Sequence, residues 1–293
     1  MSQRYQAAVY RYWMHDARID ALVARVSDHD GAPALSDAKS AGLGDEKRTI
    51  VIEEDDAVVA LGVAASHLQP DGTEHLALET VLDPGLRFAE FEDRLLASTL
   101  TLVPRSHAAS VWSHRHSLDA ALERAGFGVV RELAQMAIDL PVAGPKPAFV
   151  TRPLETADAD AIVELNREAF ASHREAASLD SSDIVRTMSE EGFEPDGFLI
   201  LEEHQEVVGF CWTRVHANGD GEIYRIAVAP KRHGGGLGRS LVLAGFDHLA
   251  RHPDVLRGML WVDSANQQAI SLYERIGMTH VSVNREFERL IRD

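Results

Sequence analysis

Cysteine is almost absent. Cys211 is the only one in the chain, so an intrachain disulfide and a cysteine-rich metal site are both excluded. It falls in the strand-like run 207–215, where a buried structural thiol is expected rather than a nucleophile. Positive charge is also scarce: 29 Lys and Arg stand against 46 Asp and Glu, a formal net charge of −17. A nucleic-acid binder needs a basic footprint, so no nucleic-acid partner is expected and small cationic or hydroxyl-rich molecules suit the chain better. The apolar runs are too short to span a bilayer, and Met1-Ser-Gln-Arg-Tyr-Gln6 lacks the apolar core of a signal peptide. A cytoplasmic protein with no membrane partner is therefore expected. The 14 histidines are scattered, without His-Glu-x-x-His spacing, and His114-Arg-His116 alone is a slender case for a metal. No metal is expected.

At 293 residues, with 45% apolar and 26% charged residues, the chain is an ordinary globular protein of about two domains. Prolines gather at Leu140-Pro-Val-Ala-Gly-Pro-Lys-Pro147, which breaks both helical and strand periodicity. This suggests a first domain over 1–140, a connector over 141–147 and a second domain over 148–293. In the second half, 197–202 and 206–215 read as a hairpin about His204-Gln205, and 157–170 as a helix with Ile162, Val163, Leu165 and Phe170 on its apolar side. The first half repeats this plan more faintly. Residues 49–53 and 57–64 form a hairpin around acidic residues, and Leu122-Glu-Arg-Ala-Gly-Phe127 parallels Tyr273-Glu-Arg-Ile-Gly-Met278, which indicates an internal duplication.

The most informative stretch runs from Glu222 to Val242. A hydrophobic strand ends at Pro230, turns through Gly234, Gly235, Gly236 and Gly238, and enters an amphipathic helix. Without Cβ atoms, successive backbone N–H groups can converge on phosphate oxygens at the positive end of the helix. A mobile glycine loop is the plainer alternative. No Lys-Ser/Thr pair follows the glycines, so a mononucleotide P-loop is excluded, and Arg239 stands where the dinucleotide fingerprint needs its third glycine.

What remains resembles the acetyl-CoA loop of the GCN5-related N-acetyltransferases (GNAT), with Gly236 and Gly238 on the two small positions and His233, preceded by Arg232, at the usual Gln/Arg position. The order strand 258–263, Ser264-Ala265-Asn266, then a helix carrying Ala269, Leu272 and Tyr273 strengthens the likeness. The resemblance implies an α/β fold of two tandem GNAT domains, each a mixed central sheet flanked by helices. It also implies that the strand after the cradle splays from its neighbour. In the first half, aligning Pro84 with Pro230 places Glu90 and Glu92 at the positions of Gly236 and Gly238. Carboxylates there would repel a diphosphate, so the first domain is expected to be degenerate and one acetyl-CoA to bind per chain.

A narrower resemblance covers nearly all of the second half and thin patches of the first. Ala169-Phe-Ala-Ser-His173, Phe193-Glu-Pro-Asp-Gly-Phe198, Gly209-Phe-Cys-Trp-Thr-Arg-Val-His216, Gly221-Glu-Ile-Tyr224 and Arg131-Glu-Leu-Ala-Gln-Met136 are similar to segments of the mycothiol synthase family of tandem acetyltransferases. That family transfers acetyl from acetyl-CoA to the cysteinyl amine of Cys-GlcN-Ins, a cysteine–glucosamine–inositol conjugate. The resemblance makes Glu222 the general base and Tyr273 the acid that protonates the departing thiolate. It puts Ile226, Ala227 and Val228 along the pantetheine, and His233, Gly234, Gly235, Gly236, Leu237, Gly238 and Arg239 around the diphosphate. Asn266, Gln267, Gln268, Ala269, Ile270 and Ser271 would line the other side of the cofactor. Substrate contacts carry over to Asp37, Glu175, Arg214, Glu222 and Trp261. Three of these depart from the family: Asp37 replaces a glutamate, Arg214 a lysine, and Trp261 a tyrosine, which removes a hydroxyl.

Plainer roles stand beside each of these: a strand glutamate paired with an arginine for Glu222, a packing tyrosine for Tyr273, a helix cap for Asn266. A monomer acting on a small-molecule amine is expected. An acetyltransferase for a peptide N-terminus, aminoglycoside or polyamine, and a noncatalytic acyl-CoA-binding module, remain as alternatives.

Overall fold

The computed structural model describes residues 6–10, 17–30, 34–35, 48–68, 74–144, 146–171, 181–189, 193–216 and 218–291. Packing divides the chain into two units, Met1–Glu132 with Val283–Asp293, and Leu133–Ser282.

In the first unit, strands β1 (Gln6–Tyr10), β2 (Arg48–Glu54), β3 (Ala57–Leu68) and β4 (Glu74–Leu82) run antiparallel in that order. The β2–β3 hairpin closes on Asp55 and Asp56, with φ of 46° and 65°. Two left-handed residues match the twist of the flanking strands. β4 then pairs in parallel with β5 (Ala108–Ser113). The last strand of the chain returns to this sheet: within β12 (Thr279–Leu290), Arg285–Leu290 lies antiparallel to β5 and sends Phe287, fully buried, into the core. Helices α1 (Ala17–Asp30), α2 (Ala89–Leu100) and α3 (His116–Arg124) cover the sheet with Leu22, Leu95, Leu96 and Leu122 inward. Each such burial stabilises by about 1.5–3 kcal/mol.

The second unit has the same strand order. β7 (Thr151–Pro153), β8 (Phe198–Glu203), β9 (Glu206–Val215) and β10 (Asp220–Val228) are antiparallel, β10 is parallel to β11 (Arg257–Asp263), and β11 is antiparallel to Leu133–Asp139 of β6 (Gly128–Asp139). Helices α4 (Ala159–Ala169) and α5 (Ser181–Met188) precede β8, α6 (Leu237–Leu249) follows β10, and α7 (Gln267–Ile276) follows β11. The β8–β9 hairpin again closes on two left-handed residues, His204 and Gln205, as the sequence suggests. Helix α6 packs so closely on β9 that a Cβ on Gly245 would come 2.7 Å from Cys211 Sγ. Cys211 is fully buried, burial raises its thiol pKa, and it is structural as expected.

The expected domain boundary at 141–147 is not where the packing divides. Residues on both sides of that segment are held by the second unit: Leu140 N donates to Leu256 O at 2.8 Å, and the amides of Ala148 and Phe149 donate to Ser240 Oγ at 2.9 and 3.0 Å. The final residues 283–293, expected in the second domain, belong to the first unit. Strand pairing decides both outcomes, because a lone strand has no partner for its backbone groups.

The α3 and α7 ends show the expected parallel in atomic detail. Gly126 and Gly277 have φ of 81° and 108°, and each follows a helix whose end is tied by two bonds of the same kind. Phe127 N donates to Leu122 O and Gly126 N to Glu123 O, while Met278 N donates to Tyr273 O and Gly277 N to Glu274 O, all at 2.9–3.0 Å.

Candidate active site

Strand β10 builds one wall of the site by parting from its neighbour. It pairs with β11 only over Asp220–Ile223, opposite Arg257–Leu260, although β10 continues to Val228 and β11 to Asp263. A bulge at Tyr224, between Ile223 and Arg225, raises the local twist where the two strands separate. The edge of β10 beyond Ile223 is thus turned away from β11 while β9 still holds the other edge as far as Val228. The splayed strand implied by the resemblance is present.

The cradle follows. After a 3₁₀ turn at Pro230–Arg232, Gly234 and Gly236 adopt φ of 87° and 81°, and Gly236 is the N-cap of α6 without any side-chain cap. The first amides of α6 therefore stay open to an external acceptor. His233 borders the cleft, and its Nε2 lies 3.1 Å from Val228 O, which ties the loop to the end of β10. Arg232 pairs with Glu203.

A cleft of about 440 Å³ gathers these parts, lined by Ile226, Ala227, Val228, His233, Gly234, Gly236, Leu237, Gly238, Arg239, Asn266, Gln268, Ala269 and Tyr273. Of the expected cofactor residues, Gly235, Gln267, Ile270 and Ser271 do not line it. A helix shows one face to a cleft, and on α7 that face is Gln268, Leu272 and Arg275 with Ala269 and Tyr273 beside it, whereas Ile270 is buried in the core. Asn266 does cap its helix, accepting from Ala269 N at 3.1 Å, and also lines the cleft. Sequence reasoning missed Ala169, Phe170, Arg232, Val242, Leu272 and Arg275. The helical spacing of Arg275 from Gln268 and Leu272 is the signal that reveals it.

Tyr273 has both a packing and a cleft role. Its side chain is buried among core residues and borders the cleft, and burial pushes its pKa up to about 12. It stays protonated throughout the physiological range.

A second group of residues sits earlier on β10. Glu222 is buried, 8% exposed, and its Oε2 lies 2.9 Å from His216 Nε2. This bond raises the His216 pKa above its ordinary value, against the opposing effect of burial. Arg214 stands opposite Glu222 in the β9–β10 register, with its guanidinium 3.4 Å from the Tyr224 ring centroid and 4.7 Å from that of Trp212. Trp212 in turn packs on Tyr224 at 4.9 Å and on Phe198 at 5.3 Å. The Arg214 guanidinium is thus held over aromatic rings. His216 was not singled out by the sequence. Trp261 faces Gln135 of β6, one residue past the last β10–β11 pair. Asp37 and Glu175 lie outside the described residues.

Among its described residues, the first unit has no such cradle. Pro84–Leu86 forms the matching 3₁₀ turn, but α2 begins after the extended residue Phe88, and none of residues 84–89 has a positive φ. The loop is shorter, so Glu90 rather than Glu92 falls at the Gly238 position of the helix. Glu92 is not a cradle residue, as the alignment on Pro84 would have it. It turns inward, 1% exposed, to Arg115 Nη1 and Ser117 Oγ, each at 3.1 Å.

A splayed strand, a left-handed glycine turn and a helix N-terminus facing one cleft define a GNAT acetyltransferase, and residues 159–278 match the acetyltransferase (GNAT) family. The fold is shared over full length with a GCN5-related N-acetyltransferase from Sphaerobacter thermophilus, with a TM-score of 0.73 at 21% identity covering 100% of this chain and 98% of that one. A tandem GNAT protein from the clavulanic acid biosynthesis pathway gives 0.67 at 15% identity, covering 98% and 99%. The fold class is α/β with two tandem GNAT domains.

Among curated relatives, the chain is 37% identical over 224 residues to the mycothiol acetyltransferase of Thermobispora bispora, covering 72% of this chain and 75% of that protein. It is 35% identical over 302 residues to that of Acidothermus cellulolyticus, covering 93% and 90%. The chain belongs to the mycothiol acetyltransferase family.

Proposed function

We propose that this enzyme transfers the acetyl group of acetyl-CoA to the cysteinyl amine of Cys-GlcN-Ins, the last step of mycothiol synthesis. The observation that carries it is the cleft in which the free edge of β10, the open N-terminus of α6 and the Tyr273 side chain meet. Residues there fit the donor. Gly234 and Gly236 have no atom within 4 Å of a Cβ position, so backbone N–H groups are approachable by a diphosphate. Arg232, Arg239 and Arg275 add positive charge to an otherwise acidic chain.

Acetyl-CoA supplies an activated thioester, and the chain's residues supply proton movement and orientation. Amides of Ile226, Ala227 and Val228 polarise the thioester carbonyl. An α-amine has a pKa of roughly 7.7–8.0 and attacks only once deprotonated. Glu222 takes that proton, directly or through water, with Oε2 fixed by His216. The C–S bond breaks as the C–N bond forms, and Tyr273, kept protonated by burial, donates to the leaving thiolate. Arg214 and Trp261 contact the sugar conjugate, as do Asp37 and Glu175. The same proposal makes the enzyme a cytoplasmic monomer that binds no nucleic acid, and makes the two halves products of an internal duplication, which the shared strand order, hairpin turns and helix ends support. No described helix is long and apolar enough to cross a membrane.

Competition among amines at equal concentration tests the substrate. The conjugate should exceed free cysteine or an aminoglycoside in kcat/KM by at least about 10²-fold, the scale expected when several polar contacts are lost together. Equal acetylation of free cysteine, a peptide N-terminus or a polyamine would leave an acetyltransferase of another amine. Calorimetry should give one acetyl-CoA per chain, and a stoichiometry of two would return the first unit to consideration.

A further inference from the structure

Glu194, His248 and His252 bring three metal-ligating side chains together away from the cleft. His248 lies in the last turn of α6, His252 follows one turn later, and Glu194 immediately precedes the 3₁₀ turn Pro195–Gly197 that leads into β8. His252 lies past the end of the helix, in a turn whose amide bonds back to Leu249 O, and this places the two imidazole centroids 5.4 Å apart. Glu194 Oε2 lies 3.4 Å from His252 Nε2 and 3.9 Å from His248 Nε2, and all candidate ligand atoms fall within 4.8 Å of one another. Ligand atoms around a single zinc-sized ion, each about 2.0–2.2 Å from it, sit at comparable separations.

Two further observations point to a cation. His248 is 6% exposed, its Nδ1 has no hydrogen-bond partner, and its Nε2 is too far from Glu194 for a hydrogen bond. With neither ring nitrogen hydrogen-bonded, the buried imidazole keeps its ligand capacity unused. The group also lies at the C-terminal, negative end of α6, where a positive ion is favoured.

We propose that Glu194, His248 and His252 form a binding site for a borderline divalent cation such as zinc, cobalt or nickel. Two imidazoles and one carboxylate select such ions over magnesium or calcium, which prefer oxygen ligands alone. The ion ties the segment entering β8 to the end of α6. The cradle is at the opposite end of that 13-residue helix, roughly 20 Å away, so the ion acts as a clamp on the fold and takes no part in acetyl transfer.

Cobalt and zinc titrations of the tag-free full chain, stripped with chelator, test this. Cobalt absorption should report one low-symmetry site per chain, with zinc displacing it and raising the melting temperature with concentration. H252A and E194Q, both at solvent-accessible positions, should stay folded by circular dichroism. Each should weaken zinc binding at least as much as loss of an outer-shell partner does, about 10–100-fold. Absence of binding to the wild-type chain, or unchanged affinity in both variants, which would place the ion on other histidines, overturns the proposal.

Discussion

Glu222 and His216 form the closest functional pair on the β9–β10 surface, and their bond makes each a probe of the other. The Glu222 carboxylate raises the His216 pKa, so the imidazolium is favoured in the folded protein and this favourable interaction is full below the ordinary histidine pKa. It fades as pH rises through the elevated value. Imidazole NMR should therefore show His216 titrating above 6.5, and E222Q should move the midpoint down; a midpoint unaffected by E222Q would mean that the pair does not persist in solution. In kinetics, E222Q should leave acetyl-CoA affinity nearly intact and lower turnover by roughly 10²-fold, with partial recovery at high pH as the amine deprotonates in solution. Equal impairment at pH 6.5 and 9.5 would make Glu222 a positioning residue. The glutamate was legible from its place at the head of the cradle strand. Its histidine was not, because the two lie six positions apart in the chain and only the β9–β10 pairing brings the two side chains together.

The turn from β10 into α6 shows how a backbone conformation serves a ligand. Gly236 caps the helix at φ 81°, where an L side chain costs roughly 1–2 kcal/mol, whereas Gly235 lies outside the left-handed region and its added Cβ would meet nothing closer than 3.8 Å. G236A should lower stability by about that amount and raise the KM for acetyl-CoA. G235A should leave thermal stability unchanged. If the two variants melt alike, the left-handed turn is not retained in solution. The glycines, the hairpin turns and the helix ends at Gly126 and Gly277 could be anticipated because each depends on neighbours within a few residues. Which face of α7 meets the cleft could not be taken from a contiguous run, and so Arg275 was missed while Ile270 and Ser271 were included.

At the scale of the molecule, the strand set of each unit is completed by a strand that the order of the chain does not assign to it. Phe287, in the last strand, is a core residue of the first unit, and Met136, in β6, is a core residue of the second. F287A should therefore destabilise the first unit by about 3–5 kcal/mol, although the residue lies at the end of the chain. Hydrogen exchange should show β2–β5 losing protection while β8–β11 keep theirs. Loss confined to the second unit would contradict the pairing of β12 with β5.

What the sequence determined by itself is local. Alternation and turn residues set the hairpins, and the positive-φ glycines set the cradle and the helix stops. Each of these follows from sterics within a few residues and needs no knowledge of the fold. The tertiary structure alone decided the rest: which strand completes each unit, how far β10 and β11 stay paired, and which distant side chains meet. Gln135 Nε2 on Met259 Sδ, across 124 residues, and the Glu194 approach to His248 and His252 are of this kind. Such contacts arise because backbone groups of a strand must be paired and apolar faces covered, and many distant segments satisfy those demands equally well until the whole core is assembled.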